Sequence, residues 1–188
     1  SYIYLYGNMD MEEKLKFIDE KYLSAFDFLD VDSYIQPQQA FDQIKDLEKE
    51  YPVAENEGEE DNTYLSYNMV VGDSTESMKG VAFDILDYAL LSAPGAPLKK
   101  ALLDAGIGKD IYGSFNDGVL QPYFSVIAKG AKTSQKEEFI SVIRKVLKDI
   151  ADNGIDKKAI LAGINYMEFR YREADFGAYP KGLMYGLD

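Results

Sequence analysis

A chain of 188 residues, 46% of them hydrophobic, can bury roughly 70% of the surface its unfolded form exposes, and so supports one or two small domains. Its 33 acidic against 20 basic side chains give a net charge of −13, a field that repels phosphate backbones and anionic bilayers, so neither nucleic acid nor a membrane is expected as a partner. It has no cysteine and no histidine, which removes disulfides, thiolate nucleophiles and any Ser-His-Asp arrangement, and no apolar run approaches the ~20 residues of a membrane span.

In chain order, residues 2–6 are aromatic and branched and read as a strand closed by Gly7 and Asn8. Asp10 with Glu13 forms a capping box, after which Leu15, Ile18, Tyr22 and Phe26 recur at intervals of three and four, placing one stripe of a helix toward a core. Phe41, Ile44 and Leu47 recur every third residue, so residues 37–50 read as a short helix, though without a cap. Residues 51–56 read as a short strand that Pro52 confines to a sheet edge. Glu48, Glu50, Glu55, Glu57, Glu59 and Glu60 crowd around Gly58 in what reads as a solvated acidic connection, whose field would attract basic peptides.

Residues 64–72 alternate cleanly, Leu65, Tyr67, Met69 and Val71 on one face, and read as a core strand rather than an open edge. Ser74 or Asp73 is expected to cap the next helix, whose stripe is Met78, Val81, Ala82, Ile85, Leu86, Ala89 and Leu90. Asp84 and Asp87 lie beside that stripe, on a face expected to be exposed. The run Ala93-Pro94-Gly95-Ala96-Pro97 breaks the helix, and Pro97 opens another that Gly106 and Gly108 end. Residues 110–115 and 121–129 read as strands about the turn-forming Asn116-Asp117-Gly118. Ser134 with Glu137 caps a helix carrying Phe139, Ile143, Val146, Leu147 and Ile150, stopped by Asn153-Gly154, and a last helix from Asp156 carries Ile160, Leu161, Ile164 and Met167 until it frays near Asp175 to Gly177. Hairpin strands and helices segregated in this way indicate an α+β fold, a mostly antiparallel sheet covered by helices. Gly106, Gly108, Gly113 and Gly118 lack the G-K-[ST] ending of a phosphate loop, which argues against nucleotide binding.

Several motifs in this order resemble the presequence proteases, zinc metallopeptidases of the pitrilysin and insulinase class. They are Gly7-Asn8-Met9-Asp10, the strand at 64–72, the small-residue loop at 91–98 followed by an L-x-x-x-G-x-G run at 102–108, Leu120-Gln121-Pro122-Tyr123-Phe124, Phe169-Arg170-Tyr171-Arg172-Glu173, and Tyr179-Pro180-Lys181-Gly182-Leu183. The chain departs in having Lys181 where arginine is usual and in an added acidic stretch at 57–61.

The resemblance implies the non-catalytic second domain of the N-terminal half of such an enzyme, with a metallopeptidase-homology fold. It implies residues 1–30 as a strand–helix unit carried over from the preceding domain or joined to the same sheet, 31–62 as the acidic connection, 63–176 as the domain proper, and 177–188 as the truncated start of a following segment. Partners would be the catalytic zinc domain and the C-terminal half of the same polypeptide, with peptide as substrate. Ala93, Pro94, Gly95 and Ala96 would contact substrate near an anchoring exosite, the residue-level alternative being a rigid break between helices. Arg172, Glu173 and Lys181 would meet a neighbouring domain. The zinc motif of the class, H-x-x-E-H, needs two imidazoles on one helix face. This chain therefore carries no cofactor of its own; zinc is implied for the parent enzyme, which would degrade unstructured peptides in a bacterial cytoplasm or, alternatively, an organelle matrix. A non-proteolytic structural or interaction subunit on the same fold is the other reading. Purified alone, the 188-residue chain is expected to hold no stoichiometric zinc and to cleave no peptide; tightly bound zinc by metal analysis, or chelator-sensitive cleavage, would contradict that.

Overall fold

The computed structural model describes residues 2–54, 61–173 and 176–187. The chain divides into two compact units, residues 37–169 and residues 1–36 with 170–188. The part of the expected acidic connection at Glu55, Glu57, Gly58, Glu59 and Glu60 lies outside the described residues, as does the expected fray at Asp175.

In the larger unit three strands, β1 (Thr63–Val70), β2 (Asp110–Asn116) and β3 (Tyr123–Ala131), form an antiparallel sheet in the order β1-β3-β2. Register follows from the alternation: Leu65, Ala128 and Ile111 share one row, Tyr67, Val126 and Gly113 the next, and Met69, Phe124 and Phe115 the third. These rows form the inner face, and the expected alternation at 65–71 is correct in direction. The sheet order nonetheless places β1 at an outer position and β3 in the middle. Alternation reveals which face is buried; it carries no information about the number of neighbouring strands.

Four helices follow the sheet's connections: α2 (Ser77–Asp87), α3 (Pro97–Asp104), α4 (Lys136–Asn153) and α5 (Lys157–Glu173). Leu90, Leu91, Leu98, Leu102, Ile107, Phe139 and Ile143 join the inner face of the sheet in one apolar cluster. A π-helical turn at Tyr88–Ser92 extends α2 and adds one residue to its last turn, so that Ala89, Leu90 and Leu91 are all buried. Met78 and Val81, which the helical period put on the buried stripe, are exposed; Leu86 of that stripe packs on the cluster as expected, together with Phe83, which lay outside it. Phe83 stacks on Phe115 with ring centroids 5.5 Å apart.

Local capping differs from expectation in two places. Asp73 closes a turn ahead of α2, accepting from the Thr75 N–H at 2.9 Å and hydroxyl at 2.8 Å, and Glu76 is the N-cap residue. Ahead of α4 a 3-10 turn at Thr133–Gln135 intervenes, so Gln135 rather than Ser134 is the N-cap residue, and its side chain makes no cap to α4: its amide oxygen accepts from the Lys132 N–H at 2.9 Å, closing the 3-10 turn, and its NH2 donates to the Gly106 carbonyl at 2.9 Å. Along α5 the buried residues are Gly163 and Met167, whereas Leu161 and Ile164 are exposed. Gly163 lets α5 lie against α2, since a Cβ there would stand 3.1 Å from Ile85, and Tyr166 stacks on Tyr88 at 4.8 Å.

Residues 37–54 form no helix or strand. Phe41, Ile44 and Leu47 are exposed, so the stripe that would drive a helix buries nothing, and a short helix without tertiary burial is marginal in water.

In the smaller unit, α1 (Met11–Lys21) starts as expected, with Asp10 accepting from the Glu13 N–H at 3.0 Å. None of its residues is buried, and Leu15, Tyr22 and Phe26 are exposed. Residues 2–6 are not a strand. Their tyrosines pack instead on α6 (Lys181–Leu187), where Gly182 and Gly186 fall one turn apart and leave room for the rings of Tyr6 and Tyr4. The Tyr4 hydroxyl donates to the Gly182 carbonyl at 2.9 Å.

Burial separates the two kinds of aromatic residue. Phe139→Ala, at a site 2% exposed, is expected to lower unfolding free energy by about 3–5 kcal/mol in denaturant titration. Phe41→Ala, at a site 60% exposed, is expected to cost less than about 0.5 kcal/mol. Similar losses at the two positions would mean that residues 37–50 are packed.

Candidate functional site

The run from Ala93 to Ala96 is one tight turn. The Ala96 N–H donates to the Ala93 carbonyl at 3.0 Å, Pro94 sits second, and Gly95 sits third with φ +74°. That is the residue pattern of a type II turn: proline supplies the second φ, and the third requires a positive φ that glycine adopts at little cost. Both ends are fixed. The Ala93 N–H closes the π-helical turn on the Tyr88 carbonyl at 2.7 Å, and Ala96, buried, precedes Pro97 at the first position of α3. Pro94 and Gly95 are exposed, and a side chain at Gly95 would meet no atom within 4 Å. The structure thus brings the four candidate substrate-contact residues into one tight turn, with Pro94 and Gly95 facing outward, Ala93 half-buried and Ala96 buried.

In the last turns of α2 lies a feature the periodicity did not indicate. Asp84 and Asp87 are both half-buried rather than on an exposed polar face. Asp87 lies against Gly113 of β2, where a Cβ would overlap both its Oδ1 and the Leu91 side chain. Among the described residues that buried Oδ1 has no hydrogen-bond partner. Burial, and secondarily the charge of Asp84, push the Asp87 carboxyl above the ordinary carboxylate range. The sequence signal for this contact is Gly113 itself, a glycine inside a strand pattern, which marks close approach of another group.

The outer face of the sheet is a second surface. Ser66, Asn68, Val70, Tyr112 and Ser114 are exposed there, and one row carries Asn68, Ser125 and Ser114 side by side. The Asn68 amide oxygen accepts from Ser125 Oγ at 2.6 Å and from Ser66 Oγ at 2.9 Å.

Arg172, Glu173 and Lys181 belong to the smaller unit. Lys181 Nζ donates to the Glu173 carbonyl at 2.6 Å, and the Tyr185 hydroxyl donates to the Tyr171 carbonyl at 3.0 Å, so α6 is tied to the end of α5. Among the described residues no cluster of acidic side chains is placed to hold a metal ion, and with no histidine or cysteine in the chain the donor set does not fit zinc. No helix of the described residues is long and apolar enough to cross a membrane.

The family model for the peptidase M16 inactive domain matches residues 1–167. Protein HypA of Clostridium perfringens is 48% identical over 100% of this chain and 19% of its own length. Presequence protease 1, chloroplastic/mitochondrial, of Arabidopsis thaliana is 30% identical over 96% of this chain and 17% of its own. The chain therefore spans under a fifth of these relatives. Among solved structures, an M16-like peptidase from Alicyclobacillus acidocaldarius aligns with 58% of this chain and 26% of its own at 18% identity, TM-score 0.44.

The Asp87 geometry has a pH signature. A carboxyl with a raised pKa in the folded state keeps its proton longer there than in the unfolded chain, so stability falls as pH rises from 3.8 through the native value. Asp87→Asn, neutral throughout, is expected to lack that decline, and its melting temperature relative to wild type should climb with pH over this interval. A difference independent of pH would show that Asp87 ionises freely in the fold.

Proposed function

Since the chain belongs to the M16 peptidase inactive-domain family, matched over residues 1–167, we propose that it is the non-catalytic domain of a larger zinc-dependent endopeptidase that degrades unstructured peptides. The catalytic zinc site lies in another domain of that polypeptide, and this one helps to enclose and anchor the substrate. The observation that carries the reading is the one-sided sheet: helices cover its inner face, while its outer face presents hydroxyls, an amide and tyrosines. Such a face can meet many peptide sequences, because short polar groups and aromatic rings bind main chain and side chains without demanding one complement.

The Ala93–Ala96 turn is the proposed anchoring point. Its proline and closed hydrogen bond hold it in one conformation, so capturing a peptide orders no flexible loop, and small side chains allow close main-chain approach. Arg172, Glu173 and Lys181 are proposed to face a neighbouring domain of the same polypeptide.

Gly95→Leu in the intact enzyme separates anchoring from a purely structural turn. The leucine projects into open space but forces a positive φ on a branched residue, which costs about 1–2 kcal/mol of folding stability. Gly95→Asn tolerates that φ and controls for the strain. Anchoring predicts weaker peptide affinity in the leucine variant with zinc content unchanged. Unchanged affinity in folded, zinc-loaded protein would remove the turn from the substrate contacts.

A further inference from the structure

Residues 37–46 belong to the larger unit and form an irregular strap, bent at Asp42 and Gln43. Two anchors hold it. At one end the Gln121 side chain grips the main chain of Gln38 from both sides: its amide oxygen accepts from the Gln38 N–H at 2.7 Å, and its NH2 donates to the Gln38 carbonyl at 3.1 Å. Eight residues on, Lys136 Nζ donates to Asp46 Oδ1 at 2.6 Å, and that ion pair raises the Lys136 pKa.

A carboxamide offers one donor and one acceptor with the spacing of a peptide group, so bonding the N–H and C=O of one residue reproduces a β-bridge with a side chain in place of a strand. Contact of this kind reads main chain and ignores side-chain identity. Gln121 is well held for the task. The carbonyls on either side of it are fixed, Leu120 by the Ser74 N–H and Pro122 by the Val71 N–H, each at 2.9 Å. The strap itself is held by little else. Among the described residues, 27–54 make no main-chain to main-chain hydrogen bonds, and Phe41, Ile44 and Leu47 are 60%, 60% and 81% exposed. Exposed polar contacts of this number are individually weak. What keeps the strap in place is its tether, which presents it to the clamp at an effective concentration of order millimolar.

We propose that Gln121 is a main-chain clamp for extended peptides and that residues 37–46 occupy it in cis, as an acidic ligand that a second acidic extended peptide displaces. The clamp sets the register and Lys136 sets the charge preference, a carboxylate eight residues toward the C-terminus.

The test is hydrogen exchange at the Gln38 amide in the intact polypeptide, with core amides such as Val126 as an internal control. Gln121→Ala should speed Gln38 exchange about fivefold and leave the control unchanged. A synthetic peptide with the sequence of residues 36–47, added at about 1–10 mM, should speed it likewise in the wild type. The same peptide with Asp42 and Asp46 replaced by Asn should need a several-fold higher concentration. Unaltered Gln38 exchange in Gln121→Ala would overturn the clamp. Release by Gln121→Ala but not by added peptide would overturn its use by an outside ligand, and equal potency of the two peptides would overturn the preference for acid. None of these readouts measures hydrolysis or binding at the Ala93–Ala96 turn, so their failure and failure of the proposed substrate-anchoring function are distinguishable.

Discussion

The larger unit depends on burying one face of its central strand. β3 is hydrogen-bonded on both sides, and Phe124, Val126, Ala128 and Ala131 on it are almost wholly buried. Most other elements in the unit are placed by what they contribute to that layer, whereas α5 packs on α2 through Gly163. Leu65 of β1 and Ile111 of β2 extend it sideways, while Leu90, Leu91, Leu98, Leu102, Phe139 and Ile143 roof it from the helices. Gly113 is the point where the roof comes lowest, because only a residue without a Cβ leaves room for Leu91 and Asp87. The π-helical turn and the tight turn after it follow from the same packing: one extra residue turns Leu90 and Leu91 inward together, and Pro94-Gly95 then reverses the chain into α3.

This arrangement spends the apolar side chains on one face and leaves the other polar. It also traps a carboxylate oxygen at the seam between α2 and β2, where satisfying it would require a donor and where ionisation costs stability. Buried polar atoms are nearly always paired, so the Asp87 oxygen at this seam is a place where the fold gives up stability locally. The smaller unit contrasts with this. Its contacts are ring-on-glycine and hydroxyl-to-carbonyl, and α1 buries nothing within the described chain. The chain spans under a fifth of the relatives from Clostridium perfringens and Arabidopsis thaliana, and the apolar residues Leu15 and Phe17 of α1 stand exposed on it.

Much of the α+β architecture was legible in the residues. The hairpin followed from alternation around Asn116-Asp117-Gly118, α4 from the spacing of Phe139 and Ile143, α3 from Pro97, and the turn from Pro94-Gly95. The failures share a cause. Apolar periodicity states what a segment would bury if a surface were available, and residues 2–6, the stripe of α1 and residues 37–50 have none of the expected kind. In α2 the period itself was broken by the π-helical turn, which no local signal marks, so Met78 and Val81 were assigned inward. Of the site, the turn at 93–96 was visible because proline and glycine constrain the backbone locally. Asp87 was not, because its burial depends on Gly113, 26 positions away in sequence, and the Gln121 contact with Gln38 was hidden for the same reason, the two being 83 residues apart.

The central claim is that this domain touches substrate in the closed enzyme without taking part in the chemistry. The most direct measurement places a photo-crosslinking amino acid at Pro94 in the intact, zinc-loaded polypeptide and irradiates it with an unstructured peptide present. The account predicts a covalent adduct between residue 94 and the peptide, formed in competition with unlabelled substrate, while zinc content stays at the wild-type level. Crosslinks confined to the protein's own chain, with peptide still cleaved at the normal rate, would contradict it.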